Sequence, residues 1–209
     1  MGNELLGHVY KDAYDESTKY RSSQHTVRRV MAITTIPEIK LPINWNFQPL
    51  VKASDMFVGY LILDALIGNQ DRHHENWGLL VMGEQLYIAP TFDHASSLGR
   101  NETDENRSAR LSTTDAGYTV DSYVRRAKSA LHETPTSGNP LTTIEAFQEA
   151  SKIRPNAGRY WLGVLEKVDF AAYKAIFNQV PPGEISKVGI EFALKMLECN
   201  TRRLLETKG

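Results

Sequence analysis

The chain has few cysteines, no long apolar run and almost no net charge, and each of these absences excludes a class of protein. It contains one cysteine, Cys199, in 209 residues, which excludes an internal disulfide and a cysteine-rich zinc site. No run approaches the roughly 18 apolar residues that a membrane-spanning helix requires. The formal net charge of −1 gives no global attraction to nucleic acid or to an anionic membrane. We therefore expect a soluble cytoplasmic protein that binds neither nucleic acid nor a membrane.

The first 52 residues lack both a secretory signal and a sustained hydrophobic period. No basic region followed by an apolar core opens the chain. Residues 1–32 are polar and would accommodate one or two helices, whereas Pro37, Pro42 and Pro49 make residues 34–52 a connecting segment. We interpret residues 1–52 as a lead-in and hinge.

The central segment, residues 53–99, predicts a helix, a loop and a hairpin. Ser54 has the chemistry of an N-cap, and the apolar residues after it predict a largely buried helix that ends at Gly68. Residues 77–82 and 85–89 are rich in apolar residues and are separated by Gly83 and Glu84, a pattern typical of a β-hairpin.

Residues 100–209 predict a helical bundle. Residues 100–114 are polar and read as a mobile loop or a frayed helix. Helical patterns then cover residues 120–131, 143–153, 159–168, 170–180 and 186–206, with caps at Asp169 and Ser186. The predicted fold is mainly α in one domain, residues 1–209, with a small hairpin between the loop and the bundle.

Two acids and an amide lie around the predicted hairpin. Asp71 and Asn76 are five positions apart on the loop that precedes it, and Asp93 follows its returning strand. Because a hairpin brings its two ends together, these side chains could converge. In phosphoryl transfer one carboxylate receives the proton of the attacking hydroxyl, while a second carboxylate and an amide oxygen hold Mg²⁺.

The run from Asn69 to Asn76, Asn-Gln-Asp-Arg-His-His-Glu-Asn, resembles the catalytic loop of HipA-like serine/threonine kinases and, more distantly, that of phosphatidylinositol 3- and 4-kinases. Ala89-Pro-Thr-Phe-Asp93 resembles the metal-binding segment of the HipA-like family. The resemblance implies the C-terminal lobe of a protein kinase that uses ATP and Mg²⁺. By it, Asp71 would be the catalytic base, Arg72 and His73 would orient the loop, and Asn76 and Asp93 would bind the metal and thereby the nucleotide.

The same resemblance implies a bacterial toxin–antitoxin setting, with a protein substrate and a HipB-like antitoxin as partners. Kinases of this family carry an ATP-gripping N-lobe upstream, with a phosphate-covering segment and a lysine. The early glycines, Gly2 and Gly7, form no glycine-rich loop. We therefore expect the N-lobe to be absent, through truncation, through a split in which an N-lobe subunit acts in trans, or through degeneration.

Two readings from other functional classes stay open. The chain could be a catalytically inactive interaction module that has kept the metal loop. Alternatively, His73 and His74 could serve a metal-dependent hydrolase, although no second His or Cys pair stands at zinc spacing. The interaction module would bind no nucleotide, and the hydrolase would cleave phosphodiesters without ATP, whereas the kinase requires ATP.

Overall fold

Residues 1–15, 22–46 and 48–208, the part of the chain that this computed structural model describes, form mainly helices with one small sheet. The helices are α1 (Gly2–Tyr10), α2 (Val27–Thr34), α3 (Ala53–Ile67), α4 (Asp104–Ser112), α5 (Val120–Arg125), α6 (Thr143–Ile153), α7 (Pro155–Glu166), α8 (Phe170–Phe177) and α9 (Lys187–Glu206). The strands are β1 (Ile39–Lys40), β2 (Leu79–Met82) and β3 (Gln85–Ile88). The prediction of a mainly α fold with a small hairpin is confirmed.

Helix α3 lies at the centre of the molecule. Its apolar residues occupy every face, so it is buried along most of its length and packs against α2, α6, α7 and α9. Its end is as predicted, because Gly68 takes a left-handed conformation at φ 65°. The start of the loop is therefore held at the end of a rigid, buried element.

The predicted N-cap of this helix is wrong by two positions. Ser54 lies inside α3, and Lys52 is the residue that precedes the first turn. The carboxylate of Asp55 accepts the backbone N–H groups of Val51 and Lys52, at 3.1 Å and 3.0 Å. An acid in the first turn thus does the work that the sequence pattern assigned to a serine.

The sheet has the order β1-β3-β2. Strands β2 and β3 form the predicted antiparallel hairpin, in a register that pairs Met82 with Gln85. The interpretation of residues 34–52 as purely connecting is wrong, because β1 pairs in parallel with β3 through Ile39 and Leu86. Burial of Ile39 accounts for this short strand among three prolines.

The helix predicted for residues 120–131 is too long. Helix α5 ends at Arg125, and the backbone beyond it pairs with distant segments instead. The N–H of Ser129 donates to the carbonyl of Leu141 at 2.8 Å, and His132 forms a bridge with Thr26. Tertiary hydrogen bonds replace the local helical ones that the pattern indicated.

The remaining bundle follows the predicted pattern more closely. Helix α4 forms where a loop or frayed helix was expected, and the Thr103 side chain caps it. Asp169 and Ser186 cap α8 and α9 as predicted. None of the helices in the described part of the chain is long and apolar enough to cross a membrane.

Candidate active site

The loop after α3 is tied to that helix at its first residue. The side-chain amide of Asn69 donates to Oδ1 of Asp64 at 2.8 Å, and its backbone N–H donates to the Asp64 carbonyl at 2.8 Å. The side-chain oxygen Oδ1 of Asn69 in turn accepts the backbone N–H of Asp71 at 3.2 Å. The start of the loop before Asp71 is therefore fixed by hydrogen bonds to a buried acid, Asp64.

Asp71 and Asn76 meet across the loop. Nδ2 of Asn76 donates to the backbone carbonyl of Asp71 at 2.8 Å, so the amide oxygen of Asn76 is the end of that side chain left to bind a cation. The Asp71 carboxylate is 39% exposed and thus accessible to a second molecule. The hydrogen bond between Asn76 and Asp71 closes the loop into a small ring, and the Asp71 carboxylate lies on the outer side of this ring.

Arg72 joins this loop to both helix α3 and the segment before Asp93. Its side chain is 1% exposed and forms a bidentate pair with Asp64, in which Nε and Nη2 each lie 2.8 Å from a carboxylate oxygen. Nη1 donates to the Asn76 carbonyl at 2.7 Å and lies 3.5 Å from the Phe92 carbonyl. One guanidinium nitrogen therefore reaches the backbone of both predicted metal-binding segments.

The two consecutive histidines point to different partners. Nδ1 of His73 accepts the N–H of Glu75 at 3.2 Å, so the ring proton of neutral His73 lies on Nε2, which is 3.8 Å from Oδ1 of Asp71. Nδ1 of His74 lies 2.5 Å from the Tyr14 hydroxyl in the core. His73 is thus beside the predicted base, whereas His74 belongs to the buried support of the loop.

Asp93 lies beyond the hairpin in a left-handed conformation, with φ at 54°. The hairpin end that precedes it is fixed by the Ala89 N–H, which donates to the Gly78 carbonyl at 2.9 Å, and by the Tyr60 hydroxyl, which donates to the Ala89 carbonyl at 2.9 Å. The Asp93 residue itself is exposed. Its carboxylate is therefore on the outside of a well-anchored segment.

The donor types at Asn76 and Asp93 are those that suit a magnesium ion shared with phosphates. Asp93 would supply a carboxylate and Asn76 an amide oxygen, and Mg²⁺ bound with nucleotide commonly takes only one or two carboxylates from the protein. Within residues 1–15, 22–46 and 48–208, no group of three or more His, Cys, Asp or Glu side chains is arranged to hold a metal ion. The geometry thus lends no support to a hydrolase built on His73 and His74.

Three residues of this constellation were missed by sequence reasoning: Asp64, Thr91 and His94. Asp64 had a detectable signal, since it is the one charged residue in the apolar run from Met56 to Ile67. Thr91 and His94 had none, because their contacts with Arg72 and with each other arise only after the hairpin has formed.

A solved structure shares the fold of this chain. Neither a family model nor a curated protein sequence matches the chain. Among solved structures, the crystal structure of the Helicobacter pylori proinflammatory kinase CtkA matches with a TM-score of 0.69. The match covers 100% of this chain and 68% of that chain, at 19% identity.

The chain has a kinase-like fold. At 19% identity the likeness extends to the fold, and with it the predicted architecture of a helical kinase lobe with a small hairpin is confirmed. Within this kinase-like fold, Arg72 of the predicted loop contacts the backbone carbonyl of Asn76 in that loop and that of Phe92 in the predicted metal-binding segment.

Proposed function

We propose that the chain is the C-terminal lobe of a HipA-like serine/threonine kinase, which transfers the γ-phosphoryl group of ATP to a protein hydroxyl. The observation that carries this proposal is the Arg72 junction, which holds the Asp71–Asn76 loop and the segment before Asp93 together in a kinase-like fold. Phosphoryl transfer depends mainly on such positioning and on neutralising charge.

Each proposed role comes from the resemblance to the HipA-like family, and the placement of the side chain supports it. Asp71 would accept the proton of the attacking hydroxyl as oxygen bonds to the γ-phosphorus and ADP departs, and its partial exposure suits contact with a substrate. Arg72 and His73 would hold the loop that presents it. Asn76 and Asp93 would hold Mg²⁺, which would neutralise the phosphate oxygens of bound ATP.

The partners are proposed from the same resemblance. A protein hydroxyl is the acceptor, an ATP-gripping N-lobe would complete the kinase in cis or as a subunit in trans, and a HipB-like antitoxin would restrain the kinase in a bacterial toxin–antitoxin system. Residues 1–52 would then form a lead-in and hinge toward that N-lobe. A catalytically inactive interaction module is the alternative that the following experiment separates from an active lobe.

The first test is Mg²⁺-dependent binding of ATP to the full chain, measured by calorimetry. Asp93→Asn removes the charge while retaining a residue that tolerates positive φ, so it changes the metal ligand with little backbone strain. Glu84→Gln, at the exposed tip of the same hairpin, removes one negative charge elsewhere and is the matched control.

We expect wild type and Glu84→Gln to bind alike, and Asp93→Asn to lose about 10-fold or more in affinity for Mg-ATP. Equal binding by all three proteins would show that Asp93 is not a ligand. If wild type binds no nucleotide, the same titration is repeated with the products of neighbouring genes. Continued absence of binding and of phosphate transfer would favour the interaction module.

A further inference from the structure

The side chains of Thr91 and His94 flank Asp93 along the chain, and we call this pair the bracket. The two side chains approach each other so that Oγ1 of Thr91 and Nε2 of His94 are 2.8 Å apart. Between them Asp93 takes a positive φ of 54°, a conformation that residues other than glycine adopt uncommonly. The surrounding structure must therefore hold this residue in place.

Arg72 contacts both members of the bracket. Its Nη2 donates to Oγ1 of Thr91 at 2.7 Å and lies 3.3 Å from Nε2 of His94. The Thr91 hydroxyl can accept the Arg72 hydrogen bond and also form one with Nε2 of His94, whichever of those two atoms donates. The bracket thus requires a hydroxyl at position 91 and a ring nitrogen at position 94.

The bracket is anchored in the core. Nη2, the nitrogen that contacts Thr91 and His94, also donates to Asp64 at 2.8 Å, and the Asp64 side chain is 4% exposed. Asp64 belongs to helix α3, which packs on four other helices. A contiguous series of hydrogen bonds therefore runs from the central helix through Arg72 to Thr91 and His94, which flank Asp93.

We propose that Thr91 and His94 are positioning residues, which together with Asp64 hold Asp93 in its left-handed conformation and so fix its carboxylate relative to the Asn76 loop. The inference rests on the proposed function in so far as Asp93 is a metal ligand. Partners that orient a ligand commonly change metal affinity or activity by about 10- to 100-fold when removed. Neither Thr91 nor His94 needs to touch the metal or the nucleotide.

The test compares Thr91→Val with Thr91→Ser in the full chain. Valine is nearly isosteric with threonine but has no hydroxyl, whereas serine retains it. One readout is the affinity for Mn²⁺, a paramagnetic substitute for Mg²⁺, measured by electron paramagnetic resonance in the presence of ATP. The second is the set of ¹³Cα and ¹³Cβ chemical shifts of Asp93, which report its backbone conformation without any ligand.

We expect Thr91→Val to weaken Mn²⁺ binding by about 10-fold or more and to move the Asp93 shifts away from left-handed values. Thr91→Ser should recover most of the affinity and the wild-type shifts. His94→Leu, which removes the ring nitrogen that Thr91 contacts, should reproduce the Thr91→Val result and replaces it if the valine variant does not fold.

Two results would overturn the proposal: wild-type affinity and shifts in Thr91→Val, or a serine variant as impaired as the valine variant. Failure of the proposed function looks different, since wild type itself would then bind no Mn²⁺ with ATP. In that event the chemical shifts of Asp93 alone decide whether the bracket holds its backbone.

Discussion

At the scale of single residues, His25 shows how the core supports the end of the loop that contains Asp71 and Asn76. Its Nδ1 donates to the Ala130 carbonyl at 3.2 Å, and its Nε2 accepts the indole N–H of Trp77 at 3.1 Å. Both ring nitrogens are therefore used by a neutral imidazole. Burial lowers the pKa of His25 from 6.5 to about 3.

A pH dependence of stability follows from this buried histidine. In the unfolded chain His25 binds a proton below about pH 6.5, whereas in the folded chain it stays neutral down to about pH 3. Its contribution is therefore complete above pH 6.5 and is lost as the pH falls through that window, with a slope approaching about 1.4 kcal/mol per pH unit. Urea denaturation at a series of pH values measures the slope.

The comparison variant is His25→Gln, which removes the titrating group. We expect it to be less stable at neutral pH, because the hydrogen bonds to Trp77 and Ala130 are disturbed, but to lose less stability on acidification. His8→Gln, at an exposed position in α1, should keep the wild-type slope. Equal slopes in all three proteins would show that His25 is not the group responsible.

At the scale of elements, the contact between α3 and α7 is set by a glycine. A Cβ on Gly59 would lie 2.4 Å from Cε2 of Trp161. The indole cannot easily move aside, because its Nε1 donates to the Asp55 carbonyl at 2.8 Å. The two helices approach closely only because one of them has no side chain at this point.

Gly59→Ala should therefore destabilise the protein by about 1–3 kcal/mol, even though alanine is the better helix former. Gly163→Ala is the matched control, since a Cβ at this helical position of α7 meets no atom within 4 Å. It should raise the free energy of unfolding by about 0.5–1 kcal/mol. Chemical denaturation of both variants measures the difference, and a stabilised Gly59→Ala would contradict the packing described.

At the scale of the whole molecule, both the stability of the fold and the geometry of the candidate site depend on the buried ion pair between Asp64 and Arg72. Asp64 and Arg72 are 4% and 1% exposed, and Arg72 also bonds to the loop and to the segment before Asp93. Removing one partner of a buried pair leaves a charge without compensation, which commonly costs about 3–5 kcal/mol. Replacing both partners costs less.

Arg72→Met should accordingly destabilise the fold by about 3–5 kcal/mol, and the double variant Asp64→Asn with Arg72→Met should regain part of that loss. Mg-ATP binding should stay impaired in the double variant, because the guanidinium that joins the Asn76 loop to Thr91 is removed. Lys195→Met, which breaks an exposed pair with Glu198, should cost less than about 1 kcal/mol. A double variant with wild-type binding would show that the junction is not needed for the site.

The local parts of the structure were readable from the sequence. The apolar pattern and Gly68 predicted the central helix and its end, and the Gly83-Glu84 pair predicted the hairpin, because these signals act through backbone conformation and burial within one element. Strand β1 and the true end of α5 were not predictable in this way. Ile39 forms a strand only because β3 is beside it, and the pairing of Ser129 with Leu141 overrides a helical pattern.

The sequence by itself determined which residues carry candidate chemistry: Asp71, Asn76 and Asp93, at spacings that place them around a hairpin. Only the tertiary structure decided how they are held, through a guanidinium that reaches Asp64, the Asn76 carbonyl and Thr91 at once. Spacing along the chain limits which backbone segments can meet. The hydrogen bonds between those segments depend on side chains from helix α3, from the loop after it and from the segment after β3, and their mutual distances are set only in the folded protein.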